Sequence, residues 1–386
     1  MLAMKITIVL GAFFPVPPIR GGAVEKIWFA LGQEFARRGH EVVQISRAVP
    51  EFHREEILSG VKHLRVRGFA APRSLFWLKI LDLIYSLRAM SILPEADIVV
   101  TNTFWLPILL RNSKRGKMYV HVARYPKGQM RFYARAARLQ APSQVVAQAI
   151  VEEAPLLKDK IAVIPYPAPR SLMDRTPLPI DEREKIILFV GRVHPEKGVH
   201  LLVDAFANMP RELSSEWKLS ILGPAEEEFG GGGERYLIEL KRVAAKAGGK
   251  VFFPGPIFNL AALEQSFRAA RLFVYPSLAE RGESFGLAPL EAMAHACAVI
   301  VSNLNCFNDF IREGETGFVF NHRSNNPAQA LRDKIEKVIV DPMLLAHVSE
   351  AGYRKSADYS LDHIADQFLH DFSSLVVETD ATGTNR

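Results

Sequence analysis

Cysteine is almost missing from this chain: Cys297 and Cys306 are the two in 386 residues. So small a number excludes a disulfide framework and fits a reducing, cytoplasmic compartment, with both thiols as packing residues. Long apolar runs are missing too, and no stretch reaches the roughly 20 residues that a helix needs to cross a bilayer. The opening MLAMKITIVLGAFFPV has one lysine and a short apolar stretch without a small-residue cleavage site, so it reads as a first strand and not as a signal peptide. The pattern G-x-x-x-x-G-K-[ST] is absent, which excludes a P-loop; the glycine run in FGGGGE, residues 229–234, reads as a flexible surface loop. No D-x-D carboxylate pair is present to hold a divalent cation.

What is present is apolar and periodic. Hydrophobic residues make up 48% of the chain, enough for two domains with separate cores. The runs KITIVLG, HEVVQIS, DIVVTN and KMYVHVA alternate with helical segments, the first at about 24–37. Such alternation predicts a mostly parallel sheet covered on both faces. Prolines 165, 167, 169, 177 and 179 then break the pattern. It resumes with KIILFVG, WKLSILG, KVFFPG, RLFVYP and AVIVS. The prediction is an α/β chain of two doubly wound domains, 1–166 and 183–360, joined by a linker at 167–182 and followed by a helix at about 361–377 and a polar tail.

Charge is uneven. Residues 61–140 hold fifteen Lys/Arg against Asp82, Glu95 and Asp97, while the rest of the chain is net acidic. One half therefore suits an anionic partner. Within it, LFWLKILDLIYSLRAMSIL (75–93) is too apolar for an exposed helix and too short for a span, leaving a core helix or contact with an anionic membrane surface. The surrounding cations are Arg65, Arg67, Arg73, Lys79 and Arg88 before and within it, then Arg111, Lys114, Arg115 and Lys117. A nucleic-acid partner is set aside, because no recognised binding motif accompanies the charge.

The chain centres on FVYPSLAERGESFGLAPLEAMAHACAVIVS, residues 273–302, which reads as strand, polar loop, helix, strand. With Ser284 as N-cap, the helix would open near Phe285 and offer the amides of Phe285, Gly286 and Leu287 to an anion, Gly286 leaving the approach clear. Glu283 precedes the helix and Glu291 lies inside it, on nearly the same face as Ser284 and roughly 10 Å along. Carboxylate, anion-binding amides and carboxylate in sequence suit a diphosphate with a polyol at each end, as in a nucleotide-sugar. After the strand ILFVG come Arg192 and, five residues later, Lys197, two cations that can reach one diphosphate. Gly21 and Gly22 precede the first helix, where glycine permits close approach to a ligand. His121 ends its strand, facing either a ligand cleft or the core.

Glu, seven residues, Glu, with SFGLAPL between and EAMA at the second Glu, resembles the signature of the retaining family-four glycosyltransferases, which have the GT-B fold. The resemblance spans nearly the whole chain. It implies that Glu283 holds the donor sugar, the amides at 284–287 the diphosphate, and Glu291 the ribose. It further implies that Arg192 and Lys197 stabilise the leaving group, that Gly21 and Gly22 face donor phosphate and acceptor, and that His121 lies near the donor sugar. Gly223 and Ile257 fall where the family holds the base. The expected reaction is transfer of a hexose from a nucleoside-diphosphate sugar, UDP favoured over GDP, to a hydroxyl of a cell-surface glycan or lipid-linked acceptor. No cofactor or metal is expected, and the enzyme would be cytoplasmic or peripheral on the inner membrane face. This chain departs from the family at Ala296 and Ala298, usually Gly and Pro, and at Asn305, Cys306 and Asp309, usually Gly, Gly and Glu. Those departures bear on which sugar is taken.

Two other enzymes share parts of the pattern. A nucleotide-sugar epimerase uses the same two-domain fold. GESFG also matches the G-x-S-x-G elbow of an α/β-hydrolase with Ser284 as nucleophile, but that motif needs the serine on a tight turn directly after a strand.

Overall fold

In the computed structural model of the chain, residues 3–19, 22–72, 74–111, 115–168 and 177–382 are described. Two compact units emerge: Met1–Pro167 with Leu361–Arg386, and Ala168–Ser360. The central part of the expected linker, 169–176, and Gly21 lie outside the described residues.

The first unit is built on eight described strands: β1 (Lys5–Val9), β2 (Glu41–Ala48), β3 (Glu55–Leu58), β4 (Val61–Arg67), β5 (Ile98–Thr101), β6 (Lys117–His121), β7 (Arg138–Ala141) and β8 (Ile161–Val163). Their order in space is β3, β4, β2, β1, β5, β6, β7, β8, parallel except for β3, which runs antiparallel along β4. Covering helices explain the unbroken apolar runs. Ile6, Ile8 and Val9 of β1 and Ile98, Val99 and Val100 of β5 are all buried.

Helices α1 (Ala23–Arg37), α2 (Leu75–Ser91), α3 (Leu106–Leu109) and α4 (Gln144–Glu153) connect these strands. Ile27, Trp28, Leu31 and Phe35 form the buried stripe of α1. In α2, buried Asp82 accepts from the backbone N–H of Phe104 and Trp105 at 3.0 and 3.2 Å, and burial pushes its carboxyl up to about 6. That contact turns Tyr85, Ser86 and Ala89 inward and leaves Trp77, Ile84 and Leu87 exposed. The helix is therefore a core helix on one face, while its other face is exposed.

The second unit holds β9 (Glu184–Val190), β10 (Lys218–Leu222), β11 (Val251–Gly255), β12 (Ala270–Tyr275), β13 (Ala298–Ser302) and β14 (Phe318–Phe320). All are parallel, in the order β11, β10, β9, β12, β13, β14. Its helices are α5 (Val199–Ala207), α6 (Arg211–Ser214), α7 (Gly233–Ala244), α8 (Leu260–Ala269), α9 (Leu287–Ala294), α10 (Pro327–Ile339) and α11 (Pro342–Ser356). Strand order reverses between β9 and β12. In open α/β sheets that reversal opens a crevice beyond the carboxyl ends of the two strands, where ligands bind.

The last helix, α12 (Leu361–Thr382), returns to the first unit. Phe368 lies edge-on to Trp28 at 5.1 Å and Phe372 to Phe35 at 5.8 Å. Asp371 accepts from the Tyr119 hydroxyl at 2.9 Å and pairs with Arg138 at 2.7 Å.

Candidate active site

The residues at the β9–β12 crevice come from two loops tied to each other. After β9, a 3-10 turn at Pro195–Lys197 ends in Gly198, whose left-handed φ of +67° no β-carbon would tolerate, since it would lie 1.9 Å from the Pro276 carbonyl oxygen. This close approach places Lys197 against the loop that follows β12. That loop, 276–283, is held by the Leu278 N–H to the Glu196 carbonyl at 2.7 Å and by the Ser302 hydroxyl to the Ser277 carbonyl at 2.5 Å. Glu280 anchors its far side through His322 at 2.9 Å and Arg323 at 2.7 Å.

The result is a fixed carboxylate. Glu283 Oε2 accepts from Lys197 Nζ at 2.6 Å, the Ser277 hydroxyl at 3.1 Å and the Tyr275 hydroxyl at 3.2 Å. The side chains of Lys197 and Glu283 are only 9% and 12% exposed. Tyr275 is kept protonated, its pKa raised by burial and then by the Glu283 charge. Among the described residues no donor meets Oε1, so three groups orient one oxygen and the other is left to accept from a ligand hydroxyl.

Arg192 is positioned separately, by the Gly230 carbonyl at 2.7 Å and Glu196 at 2.6 Å. The glycine run that reads as flexible is in fact packed. Gly232 N–H donates to the Val193 carbonyl and Gly233 N–H to the Ala225 carbonyl, both at 2.8 Å, and a β-carbon on Gly231 would lie 2.2 Å from Ala225. These glycines let the loop after β10 close under Arg192.

The start of α9 differs from expectation. Gly286, not Ser284, is the N-cap, with φ +94°, and no side chain caps the helix. The glycine is required by this left-handed backbone and by Phe307, whose ring would lie 2.4 Å from a β-carbon, more than by clearance for a ligand. Leu287 and Ala288 supply the N–H groups of the first turn, Pro289 having none. Phe285 points into the core beside Phe310 and Tyr359, so it contributes backbone alone. Glu291, half-buried, lies in the middle of α9. Ser284 is separated from β12 by residues 276–283, which removes the strand-to-serine turn that a hydrolase elbow needs. Gly223 (φ +145°) sits where a β-carbon would lie 1.8 Å from the Gly191 carbonyl oxygen, so its glycine is explained by the joining of β9 and β10; Ile257 is half-buried after β11.

In the first unit, Gly22 caps α1 with φ +94°. His121 is 3% exposed at the end of β6: Nδ1 meets Gln140 Oε1, Nε2 lies 3.4 Å from the Tyr166 hydroxyl, and Trp28 is edge-on at 5.5 Å. Of the two orientations open to it, His121 takes the core. Burial pushes its pKa down to about 4, against the Gln140 hydrogen bond, which raises it. A folded-state pKa below the unfolded value of about 6.5 means that its contribution to stability is complete above pH 6.5 and is lost as pH falls through 4. Urea unfolding at pH 7 and pH 4 should show a loss on the order of 3 kcal/mol from this residue. His121→Leu should flatten the dependence; an unchanged slope would mean that the imidazole takes up its proton as readily in the fold as in the unfolded chain.

Two family models match the chain: residues 21–168 fit Glycosyltransferase Family 4 and residues 173–355 fit Glycosyl transferases group 1. The chain belongs to the GT-B glycosyltransferases. It is 31% identical over 207 residues to a D-inositol 3-phosphate glycosyltransferase of Rhodococcus opacus, covering 53% of this chain and 44% of that protein. Over 270 residues it is 28% identical to the serotype-specific mannosyltransferase WbdA of Escherichia coli, covering 64% of this chain and 30% of that protein. The chain thus spans less than half the length of these curated relatives. Among solved structures, Anabaena HepE in complex with UDP and glucose superposes with a TM-score of 0.71 at 18% identity, covering 96% of this chain and all of that one.

Against that glycosyltransferase pattern, the departures acquire a physical reading. Ala296 follows α9 with φ +52°, a left-handed position that the family's usual glycine would take without strain, and the chain keeps the turn with Ser349 donating to the Ala296 carbonyl at 2.7 Å. Cys306 is buried close to the Glu283 charge; burial and then that charge push its thiol up. Sequence reasoning missed Tyr275, Ser277 and Glu196, which orient Glu283 and Arg192. The signal was available only in part: Ser277 and Tyr275 flank a proline at the end of a strand, just where a ligand loop begins.

Proposed function

We propose that the chain is a retaining glycosyltransferase that moves a hexose from a nucleoside-diphosphate sugar, UDP favoured over GDP, to a hydroxyl acceptor in cell-surface polysaccharide or glycolipid synthesis. The observation that carries this reading is Glu283, fixed through Oε2 by Lys197, Ser277 and Tyr275 while Oε1 faces no protein donor among the described residues. Such a group can grip sugar hydroxyls in one orientation. The first-turn amides of α9, with Lys197 and Arg192, would take the diphosphate and offset the charge that develops as it leaves. Glu291 would hold the ribose, and the loops at Gly223 and Ile257 the base. His121, neutral at physiological pH, enters only as a hydrogen-bonding residue of the first unit. That unit would take the acceptor and rest on the anionic inner face of a membrane. No helix among the described residues is long and apolar enough to cross one.

The test is a panel of nucleotide-sugars screened for thermal stabilisation and for transfer, with the anomeric configuration of the product read by NMR. One UDP-sugar should stabilise the protein and be turned over with retention. Inversion, or stabilisation without consumption of any donor, would remove the reading. Turnover should also survive EDTA, because cationic side chains and amides act where other enzymes place an ion. A large loss restored by Mg²⁺ or Mn²⁺ would overturn that part of the mechanism.

A further inference from the structure

The first unit carries a groove of about 580 Å³ between the β3–β4 edge and the end of α2. Arg54, Lys62, Arg67 and Arg88 line it, with Leu64 and Ile92 supplying apolar surface. Glu55, also on its wall, is spent on Lys62 at 2.8 Å. Arg88 is held by the Arg67 carbonyl at 2.7 Å and stacks over Phe69 at 5.1 Å, which pre-orients its guanidinium. The side chains of Arg54 and Arg67 have no hydrogen bond or ion pair among the described residues. Arg65 adds no free charge, since it is buried and bound to Glu56 at 2.5 Å and to the Val16 carbonyl at 3.0 Å. An anion that enters meets three arginines whose forked donors match phosphate oxygens.

The groove is continuous with an apolar stripe. At about 100° per residue, Trp77, Ile80, Ile84, Leu87, Arg88 and Ser91 fall within an arc of about 100° on α2, so the stripe ends where the groove begins. Trp77 is 55% exposed and Leu87 52%, and Leu75 and Phe76 in the first turn are 71% and 67% exposed. An exposed apolar surface of this kind marks a site of interaction. Aromatic and apolar side chains beside unpaired arginines are complementary to a bilayer interface with anionic headgroups, where acyl chains and phosphate lie side by side.

We propose that this groove binds the phosphate of an anionic phospholipid while the stripe of α2 enters the bilayer interface. The proposal rests on the reading of a membrane-resting enzyme and names the contact. It differs from what the sequence alone suggests, because Arg65 is buried and the cations that matter are Arg54, Arg67 and Arg88.

The full chain would be co-sedimented with vesicles of phosphatidylcholine alone and of phosphatidylcholine with phosphatidylglycerol at 7:3, following tryptophan emission. Binding to the mixed vesicles with a blue shift is expected, and the shift should vanish in Trp77→Ser. Arg54→Glu with Arg67→Glu, two exposed changes, should weaken that binding roughly tenfold or more while leaving hydrolysis of a soluble donor unchanged. Lys127→Glu with Arg131→Glu, an equal charge change elsewhere on the unit, should weaken it much less. Equal losses in the two double variants would overturn the groove and leave a diffuse membrane contact. Absence of binding to either vesicle would overturn the groove and the membrane reading together, without touching the glycosyltransferase assignment. A blue shift and association with a second copy or another protein, in the absence of lipid, would give the stripe to a protein partner instead.

Discussion

Glu283→Gln should leave a folded protein whose transfer rate has fallen by about 10²–10³-fold, the scale seen when one preorganised polar group is removed from a transition-state contact. The geometry makes the substitution informative because the two carboxylate oxygens have different tasks. Oε2 accepts from Lys197, Tyr275 and Ser277, and in the proposed function Oε1 is the oxygen that takes the ligand. If the glutamine oxygen takes the Oε2 position, the amide nitrogen presents donors where the sugar needs an acceptor. If it flips, its N–H groups face the Lys197 ammonium. Either way the ligand-facing contact is lost or misdirected, and Lys197 loses its counter-charge. Rates should be read beside urea unfolding, so that lost activity is measured on folded protein. Near-wild-type transfer in a folded Glu283→Gln protein would remove Glu283 from the site.

How much of this was written in the sequence follows from what each feature depends on. Strands β12 and β13 are buried along most of their length and β9 through Ile187, Leu188 and Phe189, so their sequences IILFV, LFVY and AVIVS carry no competing signal and are legible as they stand. The Glu283 to Glu291 spacing is also local, set by one loop and one helix. The Lys197–Glu283 pair is not local. It joins residues 86 apart and exists because Gly198 lets one loop touch the next, a contact that no spacing rule contains. The same limitation explains the glycine run. Glycine permits both disorder and close approach, and only the position of Ala225 and Arg192 decides that 230–233 is packed. The helix start was misread because Ser284 has the chemistry of an N-cap, whereas the left-handed backbone at Gly286 and the ring of Phe307 fix the cap two residues later. His121 was ambiguous for a plain reason: strand alternation assigns a face but does not say that Gln140, Tyr166 and Trp28 already surround the ring.

The second large effect is expected at Lys197, and it separates a structural pair from a catalytic cation. Lys197→Met removes the charge and keeps much of the volume, leaving Glu283 with two hydroxyl donors and a side chain only 12% exposed. Breaking one half of a buried pair costs about 3–5 kcal/mol, and this nearly buried one should fall at the lower end. Glu283→Gln pays a related cost from the other side. In Lys197→Met with Glu283→Gln neither charge is stranded, so the double variant should be more stable than the sum of the single losses predicts, by about 1–3 kcal/mol. Additivity within about 0.5 kcal/mol would mean that the pair contributes little to the fold. Kinetics then tests the other role. If Lys197 also stabilises the departing diphosphate, its loss should cost about 2–4 kcal/mol in the transfer step, and the deficit should shrink with a donor whose leaving group is intrinsically more stable as an anion. A deficit that stays the same for every leaving group would assign Lys197 to holding Glu283 alone.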